Sequence, residues 1–110
     1  MPSPTYQQFS ATRTLVAATP LAIDIPINGC TNWTVIVRNT GATNAVTAAT
    51  IAVSALGTLF SAAAAITTGI PLAAVTSLDT IVGSVQPCLT ARLTLTSASG
   101  TTVSIEMVGS

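Results

Sequence analysis

The sequence contains no histidine and no lysine, and charged residues make up only 5% of the 110 positions, against ~25% in an average soluble protein. General acid–base catalysis, activated nucleophiles and metal sites draw on His, Cys, Lys, Asp and Glu, usually two or more brought together. We therefore predict a protein that is not an enzyme, with no catalytic residues, cofactor, metal or small-molecule substrate. The complete set of charged side chains is Arg13, Arg38, Arg92, Asp24, Asp79 and Glu106.

Basic residues are equally scarce, because the three arginines balance the three acids to a formal net charge of zero. This leaves no basic stripe to neutralise nucleic-acid phosphates and no polybasic membrane anchor. The uncharged stretch between Arg38 and Asp79 is long enough to span a bilayer, but it is mostly Ala, Thr, Ser and Gly and lacks flanking basic clusters. The sequence therefore predicts neither a nucleic-acid partner nor a membrane partner.

The N-terminal residues MPSPTYQQFSATRT show no basic start followed by an apolar run, which a secretion signal would require. We expect the chain to be made in the cytosol and to leave the cell only with something assembled there.

Hydrophobic residues, in contrast, make up 49% of the chain, and the mean hydropathy is +0.71. Such a chain can bury enough apolar surface to fold. Its surface must consist largely of neutral side chains, although soluble monomers usually carry about 25–35% charged residues on theirs. We infer that copies of the chain or a larger partner cover much of this surface.

Alternating apolar and polar residues predict short β-strands from residue 11 onward, as in LAIDI at 21–25 and WTVIVRN at 33–39. Turn residues separate these segments at intervals of 8–12 residues, as is typical of β-sandwiches. We predict an all-β fold, an antiparallel β-sandwich or jelly roll of about seven or eight short strands. Residues 11–110 form this single domain.

Residues 1–10 are predicted to be an extended N-terminal arm, because Pro2 and Pro4 disfavour helix in their neighbourhood. The arm carries two aromatic side chains, Tyr6 and Phe9, which are candidates for docking to a partner. A frayed terminus with incidental aromatics is the alternative.

Residues 58–68 allow two interpretations. Leu59 and Ile66 belong to a set of apolar positions with helical spacing, Thr58 is a possible N-cap, and Gly69 a possible terminator. A short Ala-rich helix near 58–68 and a further strand are both compatible with this pattern.

The last third of the sequence contains two strand patterns around residues 98–100, a three-residue connection with glycine where a hairpin needs a left-handed residue. In the register that this turn would set, Leu95 faces Val103 and Arg92 faces Glu106. The sequence therefore predicts a cross-strand ion pair between Arg92 and Glu106.

Cys30 and Cys88 are the two cysteines, 58 positions apart (88 minus 30). Two thiolates without histidine cannot complete a tetrahedral metal site. The cytosolic expectation favours two reduced, packed thiols. A disulfide stays open, because particles released from a cell meet oxidising conditions and this bond would contribute roughly 4 kcal/mol.

The lysine-free composition, the stretch TPLAIDIPINGCTNWTVIVRNTGA and the closing RLTLTSASGTTVSIEM resemble small virion structural proteins of tailed bacteriophages. Among these, the sequence is most similar to capsid decoration or cement proteins. The resemblance implies a β-rich module, assembled in the host cytoplasm and located in the virion, that binds seams of a major capsid protein lattice and stabilises the head. It also implies a homo-oligomer, with a trimer favoured.

Two alternatives share the same charge-poor texture. One is another position in the virion, such as the tail, the neck or a fibre attachment. The other is a subunit of a secreted pilus or adhesin, which would form an extracellular filament.

Overall fold

Two four-stranded antiparallel sheets make up the protein in a computed structural model that describes residues 7–67, 70–74, 80–84 and 88–110. This confirms the predicted all-β sandwich class. The strands are β1 (Gln7–Leu15), β2 (Leu21–Pro26), β3 (Trp33–Asn39), β4 (Ala48–Ser54), β5 (Ala64–Ala65), β6 (Thr80–Ser84), β7 (Thr90–Thr96) and β8 (Thr101–Gly109).

The strand order is nested. Sheet A has the order β1-β8-β3-β6, and sheet B has the order β2-β7-β4-β5. The first strand therefore pairs with the last, the second with the seventh, the third with the sixth and the fourth with the fifth. The chain has the topology of one long β-hairpin that is folded into two sheets. Gln7 in the first strand pairs with Gly109 in the last strand.

The core lies between the sheets, and the alternation of the strands supplies it. In β7, Leu93 and Leu95 point inward and are almost completely buried, and Val103 and Ile105 do the same from β8. Each such side chain contributes about 1.5–3 kcal/mol on burial. Trp33 belongs to the same core, with 3% of its surface exposed.

One end of the sandwich is closed by a buried polar network around Asn39, at the end of β3. Its amide nitrogen donates to the carbonyl oxygens of Asn44 (2.8 Å) and Leu72 (3.1 Å). Its side-chain oxygen accepts from the Thr101 hydroxyl (2.8 Å) and the Gly41 amide (3.0 Å). Because every polar atom of this buried side chain has a partner, the hydrogen bonds offset the cost of removing the amide from water, and the network stabilises the end of the sandwich.

The structure corrects three local predictions. The Ala-rich helix near 58–68 is wrong over its described part, 58–67, where the chain forms the short strand β5 within irregular backbone. The arm predicted at 1–10 is wrong for residues 7–10, which form the first half of β1 and pair with β8. Residues 1–6, including Tyr6, lie outside the described residues.

The predicted hairpin between β7 and β8 is also wrong, because the two strands belong to different sheets. The connection at 97–100 instead carries the chain from sheet B to sheet A across the end of the sandwich that holds the Asn39 network. The buried Ser97 hydroxyl donates to the Ala45 carbonyl (2.6 Å) and accepts from the Gly100 amide (3.1 Å), which directs this crossing.

Within the described part of the chain, no helix is long and apolar enough to cross a membrane.

Candidate assembly surfaces

The outer face of sheet A carries exposed apolar side chains in its centre. Ile36 on β3 is 36% exposed and Val108 on β8 is 46% exposed. The register places Val108 between Gln8 and Thr34. Together these strands form an open depression of about 660 Å³. Its lining residues are Gln8, Phe9, Ser10, Thr34, Ile36, Glu106, Met107 and Val108.

Charge on this face is sparse and of both signs. Glu106 lies between Ser10 and Ile36 in the register, and Arg38 lies one row further along β3, opposite Ser104. The remainder is hydroxyl, amide and aliphatic surface. Such a face can bury apolar area against a partner with little desolvation of charge.

Phe9 contributes to this region from within the sheet rather than from an arm. It is half-buried and packs against the protein's own core. Its ring is therefore held against the core and is not free to reach a distant subunit.

A second apolar surface lies at the loop that follows β4, which we term the leucine loop (residues 55–61). Leu56 is 80% exposed and Leu59 is 85% exposed, and Leu89 beside the loop is 40% exposed. This surface was not predicted from the sequence, where the spacing of Leu59 was compatible with a short helix or a further strand. The available signal was the position of Leu56 and Leu59 on either side of Gly57 and Thr58, residues that favour a loop.

The leucine loop is held in place by its own hydrogen bonds. The Ser61 amide donates to the Val53 carbonyl (2.8 Å), and the Ser61 hydroxyl accepts from the Val53 amide (3.1 Å). The Ser54 hydroxyl accepts from the Gly57 amide at 2.7 Å. A loop fixed in this way loses little conformational entropy when a partner covers its leucines.

Arg92 anchors the same loop to the outer face of sheet B. Its guanidinium lies over the Phe60 ring, 3.9 Å from the ring centroid. It also donates two hydrogen bonds to Asp24, from Nε to Oδ1 (2.7 Å) and from Nη2 to Oδ2 (3.1 Å). The hydrogen bond from Arg92 lowers the pKa of Asp24, and the carboxylate in turn raises the pKa of Arg92.

The predicted ion pair between Arg92 and Glu106 is therefore wrong. Arg92 faces outward from sheet B, and Glu106 faces outward from sheet A, on the opposite side of the sandwich. Asp24 takes the place of Glu106, because β2 rather than β8 is the neighbour of β7.

Cys30 and Cys88 both hold free thiols, and the structure places them at the same end of the sandwich, away from the Asn39 network. Cys88 is buried in the core, and the half-buried Cys30 packs against that core. Burial raises the pKa of the Cys88 thiol, and the nearby Cys30 thiol raises it further.

The described acidic side chains do not cluster. Among the described residues, no three His, Cys, Asp or Glu side chains come close enough together to hold a metal ion. Asp24 and Glu106 lie on opposite faces, and Asp79 falls outside the described residues.

No protein-family model and no curated protein matches this chain. Solved structures with a similar fold do match. VP2 of infectious bursal disease virus, in its subviral particle, matches with a TM-score of 0.52 and 10% identity, over 94% of this chain and 32% of the VP2 chain. The Bacillus endospore appendages, described as disulfide-linked pili, match with a TM-score of 0.45 and 14% identity, over 96% of this chain and 88% of that chain.

The chain thus spans about a third of the VP2 chain that it matches. At 10% identity the likeness to VP2 concerns the fold. The protein has a β-sandwich fold like that of a viral capsid protein.

Proposed function

We propose that the protein is a non-enzymatic structural subunit of a virus particle. The observation that carries this proposal is the nested strand order, 1-8-3-6 in one sheet and 2-7-4-5 in the other. This is the order of an eight-stranded jelly roll, an architecture shared by viral capsid and lectin domains. The fold similarity to VP2 in its subviral particle supports the same role.

Within the particle, we propose the position of a decoration or cement protein on the head of a tailed bacteriophage. There it would form a homo-oligomer, with a trimer favoured, and bind seams of the major capsid protein lattice. The leucine loop and the outer face of sheet A provide two separate apolar surfaces, so that one can contact other copies while the second contacts the lattice. A decoration protein needs no charged site, since many small contacts add up over many copies.

The test of self-association is the solution mass of the purified protein, measured by size exclusion with light scattering over a wide concentration range. A trimer, at three times 11.0 kDa, or a larger closed ring is the expected result. An 11.0 kDa monomer at all concentrations would contradict the homo-oligomer.

Electron microscopy of the same samples separates the particle role from the filament alternative. Discrete oligomers of uniform size are expected of a decoration protein. Long unbranched filaments would contradict it and favour a pilus subunit, because head-to-tail contacts that do not close generate filaments.

A further inference from the structure

The two cysteines lie in two connections that cross between the sheets at the same end of the molecule. Cys30 follows β2 of sheet B and precedes β3 of sheet A, whereas Cys88 follows β6 of sheet A and precedes β7 of sheet B. A covalent bond between them would therefore join the two crossings.

Hydrogen bonds fix the two backbones next to each other. Ile27–Cys30 forms a tight turn in which Asn28 and Gly29 both have positive φ (55° and 80°), and the Cys30 amide donates to the Ile27 carbonyl (3.2 Å). These angles are those of a type I′ turn. The Gly29 amide donates to the Cys88 carbonyl at 2.8 Å. Cys30 is thus adjacent in sequence to Gly29, which is hydrogen-bonded to the backbone of Cys88.

Both side chains are on the core side of these connections. Cys88 is only 6% exposed, and Cys30 is a half-buried neighbour of the same core cluster. Close to Cys30 runs the end of β8, where a Cβ built on Gly109 would lie 3.2 Å from the Cys30 Cβ. The two thiols therefore share one small region, and Cys30 is the one that solvent and small reagents can reach.

We propose that Cys30 and Cys88 are a site of intramolecular disulfide formation when the protein meets a small-molecule disulfide. The Cys30 thiolate attacks one sulfur of the oxidant and releases one thiol. The Cys88 thiolate then attacks the Cys30 sulfur of the mixed disulfide and releases the second thiol. The two cysteines lose two electrons and two protons, and the oxidant is reduced to two thiols. This inference does not depend on the proposed function.

The bond should stabilise the protein chiefly by restricting the unfolded chain, because it closes a loop of 58 residues. We expect the melting temperature to rise by about 15 °C on oxidation. The rate of oxidation should increase with pH, since burial raises the pKa of the Cys88 thiol and the second step needs its thiolate.

Trypsin provides a sharp test, because cleavage after Arg13, Arg38 and Arg92 leaves Cys30 in peptide 14–38 and Cys88 in peptide 39–92. The reduced protein is incubated in its folded state with oxidised glutathione, and remaining thiols are blocked with iodoacetamide in denaturant. Digestion should then release one linked pair of these peptides, which separates on reduction. Two alkylated peptides, or peptides carrying glutathione, would contradict the proposal.

Two controls keep the result specific. Non-reducing electrophoresis should show a monomer, since covalent dimers would indicate a bond between copies instead. The Cys30→Ser variant should melt close to the reduced wild type and gain nothing from oxidised glutathione. An equal gain in this variant would show that the stabilisation has another source.

Discussion

The buried network around Asn39, which closes one end of the sandwich, requires glycine at position 41. A Cβ at this residue would overlap the Thr101 hydroxyl and lie 3.2 Å from the Asn39 side-chain oxygen. Gly41→Ala should therefore break the bond between Thr101 and Asn39 and lower the free energy of unfolding by about 3 kcal/mol. Urea denaturation of the wild type and the variant measures this loss.

Gly29→Ala is the matched control for that measurement. Nothing lies within 4 Å of a Cβ at Gly29, so only its positive φ of 80° opposes the substitution. The expected cost is about 1 kcal/mol. Equal losses in the two variants would show that the Asn39 network does not set the requirement for glycine at 41.

Asp24 should give a small pH-dependent contribution to stability. Its pKa is lowered in the folded state by the hydrogen bonds from Arg92, so the contribution is present above the ordinary value of 3.8 and is lost as the pH falls below it. Both side chains are 40–50% exposed, so the effect should stay below about 1 kcal/mol. Asp24→Asn should be less stable than the wild type at neutral pH and approach it in acid. A difference that persists unchanged in acid would contradict this.

At the scale of elements, Phe60 should control the mobility of the leucine loop. Phe60→Ala removes the ring under Arg92 and should speed hydrogen exchange of the Ser61 amide, which bonds to the Val53 carbonyl, by about fivefold. Leu59→Ala is the control from the same loop, since Leu59 is 85% exposed and should leave this exchange unchanged. Equal acceleration in both variants would contradict the anchoring role of Phe60.

The strands themselves could be predicted well from local patterns. The pattern LAIDI placed Ile23 and Ile25 on one face and Asp24 on the other, and the structure buries the two isoleucines and exposes the acid. Alternation succeeds because it reflects which face of a strand is buried, and each strand meets the core on its own.

The pairing of the strands could not be predicted in the same way. In a sandwich, Leu95 and Val103 both face the core whether their strands are neighbours or lie in opposite sheets. Apolar alternation is therefore equally consistent with a hairpin and with a crossing. The glycine at position 100 indicated a turn correctly, but the buried Ser97 hydroxyl, a tertiary contact to Ala45, decides where that turn leads.

The candidate surfaces could likewise be predicted where they depend on local composition and not where they depend on strand pairing. The scarcity of charge predicted a neutral exterior, and the outer face of sheet A has that character. The ion pair was assigned to the wrong partner, because Asp24 and Arg92 are 68 positions apart and meet only through the nested order. The leucine loop could not be predicted in this way. Periodicity indicates which side chains a strand or helix buries, and it does not indicate which apolar side chains of a loop stay exposed.

At the scale of the whole molecule, the outer face of sheet A should mediate self-association. Val108→Asp places a second carboxylate in the depression that Glu106 also lines and should lower the solution mass to 11.0 kDa, because burying unpaired like charges at an interface is costly. Ala22→Asp is the control, on an exposed position of sheet B. An oligomer that survives Val108→Asp would assign self-association to another surface.

The nested order also determines when the protein can fold during its synthesis. Strand β8 lies between β1 and β3, so sheet A cannot assemble until β8 has left the ribosome. At about 5–20 residues per second, the apolar strands made earlier wait for several seconds without their partners. Folding of sheet A is thus tied to the appearance of β8, and subunits can associate through this sheet only after β8 has been made.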